Sequence, residues 1–241
     1  MAEVVELWTY LASTPLFGLT ATLLAYVLAS AVYARLGSPA WASPVLWSVV
    51  AIGAVLLLSG TAYPTYFAGA QFVHVLLGPA VVALAWPLWQ RRHALRAQAP
   101  VLLLAAVAGG GAAVVAAVVL GRIAGLPASV VLSLAPKSVT APVAMGVAGE
   151  LGGEPALAAV FAVLTGVVGA VSGKLLFDRL GIVDWRIRGF AIGTAAHGIG
   201  TARAMQVHAE AGAYAGLALG LQVLVVPLAI WLVPMLLRWL G

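Results

Sequence analysis

The sequence predicts an all-α integral membrane protein with about seven transmembrane helices and one additional broken, re-entrant helix. Of its 241 residues, 63% are hydrophobic and only 8% are charged, and the mean hydropathy is +1.10. A water-soluble domain of this size could not cover its surface with so few charges. The apolar runs are long and uninterrupted, which favours helices over barrel strands, because barrel strands alternate over about 10 residues.

Composition also excludes several kinds of site and partner. The chain has no cysteine, so it can form neither a disulfide nor a thiolate metal site. The net charge is +5, but basic residues in a membrane protein first report topology and give no reason to expect nucleic-acid binding. The expected partner is the lipid bilayer, and no cofactor is expected.

The spans follow one another within a single expected domain, residues 1–241. After an interfacial lead-in, seven apolar segments are expected to cross the bilayer: residues 15–33, 44–58, 67–88, 100–120, 156–176, 190–207 and 211–237. Pro79 interrupts the third segment and is a candidate hinge. In the fifth, Gly169 and Gly173 share one face, which predicts close helix packing.

Basic residues predict how the chain is oriented. Most of them fall on one side if residues 128–147 re-enter the membrane rather than cross it: Arg35, Arg91, Arg92, Arg96, Arg179, Arg186, Arg188 and Arg238. Arg122 is the exception. This topology places the amino terminus outside and the carboxyl terminus in the cytoplasm, and the expected location is a bacterial-type inner membrane. A full crossing by residues 128–147 would move the basic loop after residue 178 outside and weaken the bias.

The stretch Pro136-Lys-Ser-Val-Thr-Ala-Pro-Val-Ala-Met145 interrupts the apolar sequence with a lysine, two hydroxyls and two prolines. We expect a helix break near residues 132–136, with Pro136 as the first residue of a new half-helix and Ser133 as a candidate cap. Pro142 removes a backbone donor and is a second hinge. A broken helix and a lysine at membrane depth need protein, water or a ligand around them. The candidate substrate-binding residues here are Lys137, Ser138 and Thr140.

A weak internal echo links this stretch to an earlier one. Residues 77–83 and 134–140 both open with leucine, a small residue and proline. Inverted repeats with broken helices in corresponding positions are common in transporters, and chance similarity of two short apolar segments explains the echo equally well.

The stretch Gly193-Thr-Ala-Ala-His-Gly-Ile-Gly-Thr-Ala-Arg203 is the second polar interruption. A continuous helix would place Thr194, His197 and Thr201 on one stripe. Arg203 would lie near the end of the segment. Gly198 and Gly200 weaken that helix and are candidate hinges. A buried, hydrogen-bonded histidine with packing glycines is the plainer interpretation, and it weighs about as much as a functional one. The candidate substrate-binding residues here are Thr194, His197, Thr201 and Arg203.

Both stretches, together with Leu76-Leu-Gly-Pro-Ala-Val-Val-Ala-Leu-Ala-Trp-Pro-Leu88, resemble the LrgB/CidB family. The resemblance covers nearly the whole chain, and the Pro-Lys-Ser-Val-Thr string is its most specific part. One departure is Arg203, where lysine is expected in many relatives; charge is kept, but a forked contact replaces a point charge.

The resemblance implies one of two activities. Bacterial relatives are described as antiholin-like or holin-like proteins that control murein hydrolase export and cell lysis, often beside a small LrgA/CidA-type membrane partner. A plant plastidal relative carries glycolate and glycerate, and some bacterial systems are tied to pyruvate uptake. The resemblance therefore implies either a carrier or a regulator of lysis.

The residues agree with the transport branch of the resemblance and favour a secondary carrier of small monocarboxylates, for which the resemblance implies glycolate, glycerate or pyruvate. Lys137 can supply charge, neighbouring hydroxyls and helix-end amides can bond the carboxylate, and Arg203 can add a forked contact. His197 can couple transport to protons; sodium is the other candidate coupling ion. The alternative, a non-transporting antiholin-like regulator, would depend more on glycine faces such as Gly216 and Gly220, and the last span suggests a homodimer. A pore is less favoured because the sequence shows no evident ring of charges. An enzyme is less favoured because no spacing indicates a nucleophile–base pair.

Overall fold

The computed structural model describes residues 15–76, 79, 82, 85–90 and 92–239. Every regular element within these residues is a helix. The chain divides into two compact units, residues 1–83 and 84–241. The all-helical prediction is therefore confirmed for the described residues.

The first unit packs a long helix against two shorter ones. It contains α1 (Pro15–Arg35), a 3-10 turn (Ala40–Ala42), α2 (Pro44–Ser59) and α3 (Tyr63–Val75). Gly18 lets α1 approach α3, because a Cβ at this position would overlap the carbonyl oxygen of Tyr66. The hydroxyls of Thr22 and Tyr66 lie 2.8 Å apart and join the same two helices. Proline begins α2 and the left-handed Gly60 ends it, as these residues commonly do.

The second unit is built on three long helices. Its elements are α4 (Ala85–Gln90), α5 (Arg92–Ile123), α6 (Ala128–Leu134), α7 (Ala141–Glu150), α8 (Pro155–Arg179), α9 (Trp185–Val207) and α10 (Ala209–Trp239). Helices α5 and α10 are joined near one end by the Tyr214 hydroxyl, which donates to Gln98 Oε1 at 3.1 Å. Further along, Gln222 Nε2 donates to the carbonyl oxygen of Ala106 at 3.0 Å. The two helices therefore run side by side over several turns.

Helices α6 and α7 form a helical hairpin, here called hairpin 1 (residues 128–150). After α7 the chain returns to the level of α6, because the backbone N–H of Glu154 donates to Ser133 Oγ at 2.7 Å. A Cβ on Gly153 would lie 3.0 Å from the same hydroxyl oxygen, so the loop between α7 and α8 packs tightly against α6. At the base of α6, Val131 packs against Gly121 near the end of α5.

The expected half-helix in hairpin 1 begins later than the sequence predicts. Residues 135–140 form turns, and α7 begins at Ala141 with Pro142 in its first turn. Pro136 is therefore buried in the turn and does not start a helix. The Ser133 hydroxyl caps nothing at Pro136; it donates to the Ser129 carbonyl and accepts from the base of α8. Pro142 fits the helix start better, since its missing N–H costs nothing there.

Helix α9 consists of two helical arms separated by a break. It is here called hairpin 2, with a first arm (185–195) and a second arm (198–207). Its backbone leaves the helical region at Ala196 (φ −118°, ψ 15°) and His197 (φ 39°, ψ −133°). A Cβ on Gly200 would stand 2.8 Å from Ile192 Cγ2. In a continuous helix these residues would be about 12 Å apart. The second arm therefore folds back along the first, and the expected crossing by residues 190–207 is a reversal instead.

Small residues seat the first arm of hairpin 2 between α8 and α10. A Cβ on Gly189 or Gly193 would overlap the carbonyl oxygens of Ala211 and Ala215 in α10. On the other side, a Cβ on Gly169 of α8 would lie 2.5 Å from Ala196 Cβ, and one on Gly173 would overlap Ile192. The predicted close-packing face of α8 is confirmed, with hairpin 2 as its partner.

The two hairpins start at opposite ends of α8. Residues of hairpin 1, among them Ala135, Val139 and Ala144, belong to one buried cluster with Ala162 of α8. The tip of hairpin 2 bonds to the same residue, because His197 Nε2 donates to the Ala162 carbonyl oxygen at 2.7 Å. Ala162 thus belongs to the buried cluster of hairpin 1 and also accepts a hydrogen bond from the tip of hairpin 2.

Four of the described helices are long and apolar enough to cross a bilayer: residues Leu16–Arg35, Arg96–Ile123, Pro155–Arg179 and Ala209–Leu232. Pro44–Ser59 is apolar but shorter. The protein is therefore a multi-pass membrane protein, and the expectation of seven crossings is not confirmed. The echo between residues 77–83 and 134–140 lies largely outside the described residues.

Candidate functional site

Lys137 lies in the turn at the tip of hairpin 1. Its ammonium donates to Ser138 Oγ at 3.4 Å. Ser138 is buried, whereas Lys137 is only partly buried. Within the described residues no carboxylate pairs with this lysine. A cation with a single long hydrogen bond in an apolar bundle is suited to receive an anion.

The first turn of α7 follows directly and adds backbone donors. Thr140 occupies the N-cap position, but its side chain does not cap the helix. Its carbonyl accepts from the Ala144 N–H at 2.9 Å, so the regular helical bonding starts there. The N–H groups of a first helical turn have no acceptor within the helix and carry partial positive charge. Lys137, Ser138, Thr140 and this helix start are therefore neighbours along the tip of hairpin 1.

His197 forms the turn of hairpin 2 and is buried there. A carbonyl oxygen only accepts, so the bond to Ala162 requires the proton on Nε2. Gly166 of α8 makes room for the ring, because a Cβ there would lie 2.9 Å from His197 Nε2. A φ of 39° is rare for a residue with a side chain, and such strain clusters at functional sites. The histidine is thus both hydrogen-bonded and strained.

The predicted single stripe of Thr194, His197 and Thr201 is wrong, because the helix breaks between its members. Thr201 Oγ1 still donates to the His197 carbonyl oxygen across the turn, at 2.8 Å. Thr194 lies on the first arm, 8% exposed, and its Oγ1 has no hydrogen-bond partner in the described residues. Its methyl group packs on α5, where a Cβ at Gly109 would stand 2.9 Å from Thr194 Cγ2.

Gln222 of α10 is a buried polar residue that the sequence analysis missed. Its amide nitrogen faces the Ala106 carbonyl, which leaves Oε1 buried and, in the described part of the chain, without a partner. A Cβ on Gly110 would overlap this oxygen. The usable signal was one amide inside the otherwise apolar run of residues 211–237, since polar groups at membrane depth are rare without a role.

Arg203 lies away from the tip of hairpin 2. It is six residues beyond His197 on the second arm, about 9 Å along the helix. There it lines a small pocket with Lys174 and Arg188 at the base of the hairpin. The forked contact of Arg203 with a substrate carboxylate therefore remains a prediction from sequence.

Only some of the predicted hinge residues lie at the places where the helices break. Gly198 and Gly200 do not have positive φ angles, and the turn falls on the residues before them. Gly200 is needed for packing, since a Cβ there would stand 2.6 Å from Ala196 Cβ, whereas Gly198 faces open space. Pro136 lies within the turn of hairpin 1, and Pro142 lies in the first turn of α7. Pro79 is helical and exposed, but its neighbours lie outside the described residues.

Sequence comparisons identify the family and several relatives of this chain. The model of the LrgB-like family matches residues 22–239. An uncharacterized Bacillus subtilis protein, YxaC, is 32% identical over 185 residues, which are 77% of this chain and 80% of that protein. The Holin-like protein CidB of Staphylococcus epidermidis is 29% identical over 175 residues, 73% of this chain and 76% of its own length. CidB of Staphylococcus aureus is 28% identical over 197 residues, 81% and 85% of the two chains.

No solved structure matches the chain. The family match extends over both compact units, and the relatives are covered over most of their length. This chain therefore belongs to the LrgB-like family of membrane proteins.

Proposed function

We propose that the protein is a secondary carrier of small monocarboxylates such as glycolate, glycerate or pyruvate. The observation that carries the proposal is that Ala162 of α8 connects both hairpins. It shares a buried cluster with hairpin 1, whose turn holds Lys137 and Ser138, and it accepts a hydrogen bond from His197 of hairpin 2. Broken helices that meet in the middle of a bundle are the usual substrate sites of secondary transporters. The polar residues of a non-transporting bundle would need a separate explanation.

The chemistry of hairpin 1 suits a carboxylate. The Lys137 ammonium supplies the compensating charge, and the hydroxyls of Ser138 and Thr140 can donate to a carboxylate or accept from the hydroxyl of a 2-hydroxy acid. The first turn of α7 adds oriented N–H donors. A small anion would thus exchange its water for fixed donors.

The chemistry of hairpin 2 suits coupling and movement. His197 keeps one ring nitrogen on the Ala162 carbonyl, and its other nitrogen can take a proton. Thr194 and Thr201 add hydroxyls near the same turn, and backbone carbonyls exposed by a break can hold sodium. Transport is then coupled to protons or sodium, with the strained turn of hairpin 2 as the part that moves.

The order of the elements supports an inverted repeat. A long helix followed by a hairpin occurs twice, as α5 with hairpin 1 and as α8 with hairpin 2, and the two hairpins start at opposite ends of α8. In this arrangement hairpin 2 is the counterpart of hairpin 1, in place of residues 77–83. Rocking of one repeat against the other would expose the site alternately to each side.

Charge suggests how the second unit is oriented. The start of α5 and the α8–α9 loop lie at one end, because Gln98 of α5 and Asp184 of the loop line one cavity together with Tyr214. Most of the described basic residues cluster there: Arg92, Arg96, Lys174, Arg179, Arg186, Arg188 and Arg203. We place this end in the cytoplasm of a bacterial-type inner membrane. Because α9 reverses, α10 then ends on the outside, which replaces the cytoplasmic carboxyl terminus expected from sequence.

The second candidate function is a holin-like or antiholin-like regulator that acts with an LrgA/CidA-type partner. It is favoured by the description of the CidB relatives as holin-like and by α10, where a Cβ on Gly216 or Gly220 would meet nothing within 4 Å. These glycines leave space for a helix of a partner or of a second copy. The two functions differ in whether the protein alone moves carboxylates.

The test is uptake of radiolabelled glycolate, glycerate, lactate and pyruvate by proteoliposomes that contain only this protein. We expect saturable uptake by the wild type, its loss in Lys137→Ala and partial recovery in Lys137→Arg, because charge at the tip is retained. Arg122→Ala, at the exposed end of α5, is the control for loss of a cation elsewhere. Normal transport by Lys137→Ala contradicts the proposed site. Absence of uptake by folded wild type contradicts the carrier and favours the regulator.

A further inference from the structure

We propose that a second anion site lies at the base of hairpin 2, separate from the tips, and that it binds a single carboxylate or phosphate group. The site is a pocket of about 70 Å³ between α8, both arms of hairpin 2 and the start of α10. Three basic residues line it, one from each of three segments: Lys174 of α8, Arg188 of the first arm and Arg203 of the second arm.

The charges around the pocket do not cancel. No acidic residue lines it. Asp178 is shared by two of the cations, since its carboxylate accepts from Lys174 Nζ at 2.7 Å and from Arg188. Even if Glu210, next to the pocket at the start of α10, is assigned to Arg203, three cations face two carboxylates. One positive charge is left for a ligand.

Arg188 is held in place before any ligand arrives. Its Nε donates to the Ile182 carbonyl oxygen at 2.6 Å, and its guanidinium lies 5.1 Å from the Trp185 ring centre and 5.7 Å from that of Phe177. One terminal nitrogen of the guanidinium donates to Asp178. The other terminal nitrogen, with two N–H donors, is uncommitted within the described residues. A planar guanidinium fixed against two aromatic rings is a preorganised binder of oxyanions, because little side-chain entropy is lost on binding.

A ligand in this pocket would join the two arms of hairpin 2. Arg188 and Arg203 sit on opposite arms, and Lys174 sits on the helix that both arms pack against. An oxyanion that bonds to all three would hold the hairpin closed at its base. The group can come from a free carboxylate in water or from the phosphodiester of an anionic lipid, because the pocket is lined by Trp185 and lysine in the manner of a membrane interface.

The experiment measures thermal unfolding of the full chain in a neutral detergent at constant ionic strength. Glycolate is titrated in one arm, and phosphatidylglycerol is compared with phosphatidylcholine in the other. All titrations use a Lys137→Ala background, so that the tip of hairpin 1 does not contribute. We expect at least one anion to raise the unfolding temperature, with glycolate identifying a free carboxylate and phosphatidylglycerol alone identifying a lipid headgroup.

Variants decide where the anion binds. Arg203→Gln should raise the half-saturating concentration about tenfold, because it removes charge-assisted hydrogen bonds. Lys174→Gln, whose side chain is 72% exposed, should act in the same direction and serves if the arginine variant fails to fold. Arg179→Gln is the matched control, since this exposed arginine at the end of α8 does not line the pocket. No shift with either anion, or an equal shift in both pocket variants and the control, overturns the proposal. The outcome does not depend on transport, so the site can survive failure of the carrier function.

Discussion

Replacing His197 by glycine and by alanine tests the turn of hairpin 2 directly. Both changes remove the ring and its bond to Ala162, so the two variants differ from each other only in the backbone preference at position 197. The native φ is 39°. Glycine adopts such angles readily, whereas a Cβ makes them unfavourable.

The structure predicts that the glycine variant is the more stable of the two. Strain at this position costs alanine about 2 kcal/mol. The extra chain entropy that glycine loses on folding returns about 1 kcal/mol of this. We therefore expect His197→Gly to be more stable than His197→Ala by about 1 kcal/mol. A continuous helix through residue 197 predicts the opposite order by about the same amount, since glycine is about 1 kcal/mol worse than alanine in a helix.

The assay is reversible unfolding in mixed detergent micelles, followed by the fluorescence of the eight tryptophans. Gly198→Ala is the neighbouring control, because that glycine lacks a positive φ and a Cβ there would meet open space. It should stabilise the protein by about 1 kcal/mol. If His197→Ala proves more stable than His197→Gly, the chain does not turn at this residue and hairpin 2 is wrong.

Three further predictions concern other parts of the second unit. Gly193→Ala should lower the free energy of unfolding by about 1–3 kcal/mol, because its Cβ would overlap the backbone of α10. Gly216→Ala should not lower it, because a Cβ there would have open space around it. Equal effects of the two variants would refute the close packing. Gln222→Met should change stability by less than about 1 kcal/mol, because it loses one hydrogen bond and also removes a buried unpaired oxygen; a loss of several kcal/mol in the same unfolding assay would show that this oxygen has a partner. Arg186 holds the pKa of Asp184 down at about 2, so this carboxylate adds stability above its usual pKa that is lost as the pH falls through 2. Between pH 4 and pH 2, the unfolding temperature of Asp184→Asn should therefore fall less than that of the wild type. Equal falls in the two proteins would contradict the Asp184–Arg186 pair.

The helical class and the two polar interruptions could be predicted because they depend on composition and on proline. Proline disfavours a regular helix because it removes a backbone donor and crowds the preceding turn. A break close to Pro136 was therefore expected from local chemistry, although Pro100 lies inside α5. The residue that begins the next helix did not follow, since Pro136 and Pro142 are both acceptable at a first turn. Burial of Pro136 in the turn settles the choice, and burial is decided by the neighbouring helices.

The reversal at His197 could not be predicted from local preference. Gly198 and Gly200 are the residues that adopt unusual angles at least cost, yet the turn falls on the histidine before them. The bond to Ala162 and the space above Gly166 fix the ring, and the backbone follows. Both features belong to α8, more than thirty residues earlier in the chain, so only tertiary structure contains them.

The two hairpins have a consequence for how the protein enters the membrane during synthesis. The arms of hairpin 2 and the two helices of hairpin 1 are too short to cross the hydrocarbon layer, which requires about 20 residues in a helix. Neither hairpin can be inserted as an independent span, so each must wait for long helices to shelter its polar backbone. For hairpin 2 the shelter includes α10, whose Ala211 and Ala215 carbonyls face the glycines of the first arm. Because α10 leaves the ribosome after hairpin 2, hairpin 2 can assemble only once α10 has been made, and a chain cut short before α10 would leave hairpin 2 exposed for degradation.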